Sequence, residues 1–195
     1  MQFTRRHTIL LGSAALAGGT LAAATLWRKP EPRIFTQADA AKSTTPLAGL
    51  VENANPAPPP EARFLDNPGK SHPIADFAGQ GLIITLWATW CIPCVAEMPQ
   101  LEAAASALSG ERIAVLPLSS DRGGAEIVRK FYTEHAIRGL DIWLDPKSEA
   151  TRVWHARGLP TTLIIDREGR EVARLEGAAE WAHPDALARL RRLVG

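Results

Sequence analysis

A chain of 195 residues is long enough for one domain with a real core plus an appendage, and 46% apolar with 22% charged residues is ordinary for a protein folded in water. The net charge of +1 conceals a split: residues 1–60 hold six Lys or Arg against three Asp or Glu, and residues 61–195 hold sixteen against eighteen. The second part therefore has no basic excess with which to grip nucleic acid, and its partners are expected to be proteins met through a local surface.

Residues 1–28 read as a signal peptide or N-terminal membrane anchor. Arg5 and Arg6 precede Ile9 to Trp27, nineteen residues without a charge, about enough to cross a bilayer as a helix. Thr4-Arg5-Arg6-His7-Thr8-Ile9-Leu10 resembles a twin-arginine signal but departs from it at Thr8, so ordinary secretory export stays open. Ala22, Ala23 and Ala24 suit a signal peptidase. Arg28, Lys29 and Arg33 offset Arg5 and Arg6, so the basic count does not set an orientation. Residues 29–60 read as a Pro-rich linker, because seven of the fifteen prolines fall between Pro30 and Pro60. The folded domain is expected over 61–195. It opens with a β-hairpin, Ala62 to Asp66 and Ser71 to Ile74, around the turn residues Asn67-Pro68-Gly69-Lys70.

Leu82 to Trp87 is a short β-branched and aromatic run that reads as a buried strand. Val95 to Leu108, rich in Ala, Leu and Glu, reads as a helix. Both cysteines of the chain, Cys91 and Cys94, stand at the junction. A thiol at a helix N-terminus meets unpaired N–H groups and the helix dipole, which stabilise a thiolate. Its pKa falls there from about 8.5 to near or below 7. Two close cysteines also suit half a zinc site, but structural zinc takes four protein ligands and no second pair exists. A purely structural bridge is the other reading, and one that closes so small a loop gains little. Redox work is favoured.

Farther on, Glu111 to Leu118 reads as a strand, Gly123 to Ile137 as a helix, and Ile142 to Leu144 as a short strand. Ser148 to His155 reads as a helix capped by Ser148, with His155 a helix-end residue and not a ligand. Thr161 to Asp166 and Glu171 to Leu175 are strands joined by a turn. Pro184 to Leu193 is an amphipathic helix with Leu187, Leu190 and Leu193 on one face. Parallel strands with crossover helices, followed by an antiparallel hairpin, imply an α/β fold: a central mixed β-sheet with helices on both faces.

Trp90-Cys91-Ile92-Pro93-Cys94, with Leu86-Trp87-Ala88-Thr89 before and Glu97-Met98-Pro99 after, resembles the thioredoxin-like superfamily, and within it the TlpA-like branch of membrane-anchored periplasmic oxidoreductases. Gly158 to Thr162, Ala179-Glu180-Trp181 and Asp185-Ala186-Leu187 extend the resemblance, which covers roughly residues 62–195. It implies a thioredoxin fold with an added N-terminal β-hairpin, and a thiol:disulfide oxidoreductase in which Cys91 attacks and Cys94 resolves. Glu97 follows Cys94 by one helical turn. Read alone it is an exposed helical acid; by resemblance it is a catalytic proton carrier under the active site. The resemblance also makes Pro160 cis, and gives Trp90, Leu159 and Pro160 to substrate binding. Thioredoxin has a buried Asp where this chain has Thr85, so Thr85 is read as a strand residue.

The resemblance further implies a retained inner-membrane anchor with the domain in the periplasm; a soluble periplasmic protein after cleavage is the alternative. It implies no cofactor beyond the redox-active disulfide Cys91–Cys94. The partners it implies are disulfide-containing client proteins of cytochrome c or cytochrome oxidase copper-centre assembly, with a membrane thiol-transfer protein of CcdA or DsbD type as electron donor. The rivals are a disulfide-donating oxidase of DsbA type and a copper-binding chaperone using Cys91 and Cys94. A peroxidase is disfavoured, since peroxiredoxins have Thr where this chain has Ala88.

Overall fold

The computed structural model describes residues 46–195. The expected export segment 1–28 and residues 29–45 of the expected linker lie outside them. Eight strands follow in chain order: β1 (Val51–Ala57), β2 (Arg63–Asp66), β3 (Ser71–Pro73), β4 (Gly81–Trp87), β5 (Ile113–Ser119), β6 (Trp143–Leu144), β7 (Thr161–Ile165) and β8 (Glu171–Glu176). Four α-helices accompany them, α1 (Ile92–Ala107), α2 (Gly124–Glu134), α3 (Glu149–Val153) and α4 (Pro184–Val194), with a 3₁₀ turn over Ile74–Phe77.

The strands form one sheet in the order β1-β8-β7-β4-β5-β6-β2-β3. β4 runs parallel to β5, and β5 to β6; β4–β7, β7–β8 and the outer pairs are antiparallel. The expected mixed sheet is therefore present. All seven residues of β4 are buried, as a near-continuous apolar run with both faces covered requires. Ile83 and Trp87 join the core built by Met98 and Leu101 of α1, Val128 and Phe131 of α2, and Leu190 of α4. Leu82, Ile84 and Leu86 point the other way, into a second core with Phe64, Ala150 of α3 and Trp154.

The hairpin forms in the expected place, with Arg63 opposite Pro73 and Leu65 opposite Ser71. Its turn closes through Gly69 N–H on the Asp66 carbonyl (3.0 Å), with Gly69 at φ 94°. It does not precede the sheet but extends it, because β2 also pairs with β6.

Three expectations are corrected. The linker does not reach residue 60: β1 pairs with β8, and Leu47 and Leu50 are buried in the core, so the domain includes residues from 46 onward. The strand escapes a pattern reading because all its residues are exposed and it contains Pro56. Helix α1 begins at Ile92, three residues earlier than expected, because Pro93 is accommodated in its first turn. Ser148 does not cap α3; it is left-handed (φ 51°) and makes no capping bond. Asp145 does that work, accepting from Glu149 N–H (2.6 Å) and Thr151 N–H (3.0 Å).

Candidate active site

β4 ends at Trp87, and four residues later Cys91 caps α1. Cys91 is extended (φ −89°, ψ 101°), and its Sγ accepts from Cys94 N–H (3.3 Å). Its carbonyl accepts from Val95 N–H (3.0 Å), the first bond of the helix. The two sulfurs form a disulfide across a Cα separation of 5.2 Å. They differ in access: Cys91 is 6% exposed and Cys94 is fully covered. A partner thus meets Cys91 first. Around it the surface is unusually apolar, with Trp90 and Ile92 70% and 73% exposed.

The loop that carries Cys91 is clamped from β5. The ends of β4 and β5 coincide, Trp87 opposite Ser119, so the residues after β5 face the loop after β4. Asp121 there accepts from Thr89 N–H (2.9 Å) and the Thr89 hydroxyl (2.8 Å), while the Ser119 hydroxyl also donates to it (2.9 Å). No motif reading singled out Asp121. The matched strand ends of a parallel pair are the signal that could have found it.

On the other side of β4, β7 runs antiparallel with Leu86 opposite Thr161. That register sets Pro160 at the end of the sheet from which Cys91 emerges. The Leu159–Pro160 peptide is cis, as expected. The Thr161 hydroxyl donates to the Gly158 carbonyl (2.7 Å), and Gly177 N–H to the Pro160 carbonyl (2.9 Å), so both sides of the bend are tied. Pro160 is buried and Leu159 half-buried. Thr85 is a strand residue sharing a hydrogen bond with the Thr162 hydroxyl (3.0 Å).

Glu97 lies one turn beyond Cys94 on α1 and is not exposed: it retains 3% of its surface. Its Oε2 accepts from the Trp181 indole N–H (2.9 Å) and Ala179 N–H (3.2 Å), and its Oε1 has no partner. Burial raises its pKa to about 8, against the two donors, which favour the ionised form. An isolated helical Glu would be near 4.5; this one is poised beside the ordinary range of a thiol. Trp181 is legible in the sequence only as part of a resemblance; a buried indole N–H usually takes an acceptor, but the sequence does not say which acid supplies it.

A buried disulfide whose Cys91 is the more exposed residue, a helix N-terminus behind it and a poised carboxyl one turn away form a site for thiol–disulfide exchange. Comparison with known proteins agrees. The model of the AhpC/TSA family matches residues 54–172. The thiol-disulfide oxidoreductase ResA of Bacillus thuringiensis subsp. konkukian is 26% identical over 118 residues, which are 60% of this chain and 67% of that protein. Among solved structures, the exposed lipoprotein thioredoxin of Streptococcus pneumoniae superposes with a TM-score of 0.57 at 24% identity, covering 68% of this chain and 98% of its own. StoA of Bacillus subtilis does so with a TM-score of 0.53 at 22% identity, covering 72% and 100%. Both share the fold.

Proposed function

This chain belongs to the AhpC/TSA family and is a thiol–disulfide oxidoreductase, and from that premise we propose that it reduces disulfides in client proteins on the periplasmic side of the inner membrane. The observation that supports the exchange chemistry is the Cys91–Cys94 disulfide at the N-terminus of α1, with the Glu97 carboxyl enclosed one turn from Cys94 and raised by that burial to a pKa of about 8. A proton moves between two groups of similar affinity with little free-energy cost, and the free thiol lies near 8.5.

In this reading the reduced enzyme presents Cys91 as a thiolate at the N-terminus of α1. Cys91 attacks one sulfur of the client disulfide; that bond breaks and a mixed disulfide forms. Cys94, fully enclosed, gives its proton to the ionised Glu97 carboxyl and attacks the Cys91 sulfur. The Cys91–Cys94 bond forms, and the client leaves as a dithiol carrying the electron pair. Trp90, Leu159 and Pro160 receive the client chain beside Cys91; the exposure of Trp90 supports that role.

The client class is an assembly factor for cytochrome c or for the copper centre of cytochrome oxidase. A membrane thiol-transfer protein of CcdA or DsbD type recharges the enzyme. Residues 1–28 hold it to the inner membrane, a reading supported by the uncharged run Ile9 to Trp27.

The test is the equilibrium reduction potential. A value well below about −200 mV places the protein among reductants, whereas one near −120 mV makes it a disulfide donor and ends the reductase reading. With a reductase potential in hand, Cys94→Ser should trap clients as mixed disulfides on Cys91.

A further inference from the structure

Glu97 is held at one oxygen only. Oε2 accepts two N–H bonds, from the Trp181 indole (2.9 Å) and the Ala179 backbone (3.2 Å), while the equally enclosed Oε1 accepts none. Both donors come from the segment between β8 and α4, outside the cysteine motif and the cis-proline loop. That segment is fixed at several points. Glu180 N–H donates to the Pro46 carbonyl (3.2 Å), Ala182 N–H to the Gln100 side chain (3.3 Å), and His183 N–H to the Glu180 carbonyl (3.2 Å). Trp181 itself is completely buried and belongs to the main core. Two donors on one oxygen restrain the carboxyl against rotation, and only its other oxygen keeps its lone pairs free. Cys94 precedes Glu97 by one turn on the same side of α1.

On the reading of Glu97 as proton carrier given above, we propose that Trp181 is a positioning residue: it pins Oε2 so that Oε1 is the oxygen that exchanges the proton with Cys94. In the forward step Oε1 of the ionised carboxyl takes the Cys94 thiol proton. The resulting thiolate attacks Cys91 of the mixed disulfide, and the client sulfur departs with the electron pair of the broken bond. The proton on Glu97 then passes to a client thiolate or to water, which restores the carboxylate. Because the indole N–H bonds the ionised form best, it also keeps enough carboxylate present near neutrality.

No charged side chain among the described residues shares this enclosure. On α1 the titratable neighbours are the two thiols of the reduced enzyme and Glu102, which is bonded to the Arg138 and Gly139 N–H groups. On the donor segment Glu180 and His183 are exposed. On α4 Asp185 is exposed and Arg189 pairs with Glu52. From β4 and β7 the polar groups are the uncharged Thr85 and Thr162.

Two measurements test the assignment. The first follows the indole N–H resonances of the oxidised protein from pH 6 to 10. One resonance should titrate with a midpoint near 8, and it should be absent from Trp181→Phe and pH-independent in Glu97→Gln. The second is the rate at which Cys94 resolves a Cys91–glutathione mixed disulfide, against pH. Losing one hydrogen bond to a charged group should move the rising limb of Trp181→Phe up by about one pH unit and slow the reaction about tenfold at pH 7. A Trp181→Phe limb that coincides with wild type, while Glu97→Gln loses the limb, overturns the role of Trp181 and leaves Glu97 in place. A Glu97→Gln profile identical to wild type overturns both. Should Trp181→Phe not fold, the wild-type titration decides: absence of any indole resonance titrating near pH 8 overturns the proposal.

Discussion

Asp121 and Glu97 are both enclosed acids of the site, and they meet burial in opposite ways. Both Asp121 oxygens are occupied, with Thr89 N–H, the Thr89 hydroxyl and the Ser119 hydroxyl donating to them. Its task is to hold the loop that carries Cys91. Asp121→Ala leaves the Thr89 N–H and two hydroxyls without their acceptor, which should cost about 2–4 kcal/mol in urea unfolding. Asp121→Asn retains one acceptor oxygen and should recover part of that loss. An Asp121→Ala protein as stable as wild type would mean that water serves these donors equally well. The contrast also explains what could be read in advance. Cys91, Cys94, Pro93 and Glu97 lie within seven positions, so helix capping and one-turn spacing bring them together without knowledge of the fold. Asp121 reaches Thr89 across 32 positions and Trp181 reaches Glu97 across 84. Such contacts are set by strand register and helix docking, to which local pattern is blind.

At the level of elements, the most legible pieces are those whose burial follows a period. β4, β5, β7, β8 and α4 appear within about two residues of their expected bounds, because each has an apolar run or stripe. β1 has none: its residues are all exposed, and it is held by the β8 edge and by the chain just before it, where Leu47 is 2% exposed. Leu47→Ala should therefore destabilise the domain by about 2–4 kcal/mol by urea titration, whereas a mere linker residue would change nothing. A second packing constraint lies between β4 and α4. A Cβ on Gly81 would stand 2.5 Å from Val194 Cβ, far inside contact distance. Gly81→Ala should cost about 1–3 kcal/mol through overpacking, and adding Val194→Ala should return part of it. Additive losses in the double variant would rule out this contact as the cause.

For the whole molecule, Glu97 makes stability depend on pH in an unusual direction. Its pKa is about 8 in the folded protein and near 4.5 when the chain is open to water. Between those values the folded state binds the proton and the unfolded state does not, so stability falls as pH rises. The integrated loss from pH 5 to pH 8 is on the order of 3 kcal/mol. Paired acids act elsewhere. Glu111, bonded to the Arg191 guanidinium, is held below its ordinary pKa, and its contribution is present above about pH 4.5 and fades only as pH drops. Between them the two kinds of group favour mildly acidic pH over both strong acid and the alkaline side of neutrality. Glu97→Gln removes the buried ionisation and should leave a nearly flat profile from pH 5 to 8, with the variant more stable than wild type at the upper end. Urea titrations of the oxidised protein at pH 5, 6.5 and 8 measure this directly. Parallel profiles for wild type and Glu97→Gln would mean that the carboxyl is ionised in the folded state, and a proton carrier for Cys94 would then have to be sought elsewhere. Profiles that converge toward pH 5 and separate toward pH 8 assign the pH dependence of stability in that range to this one enclosed carboxyl.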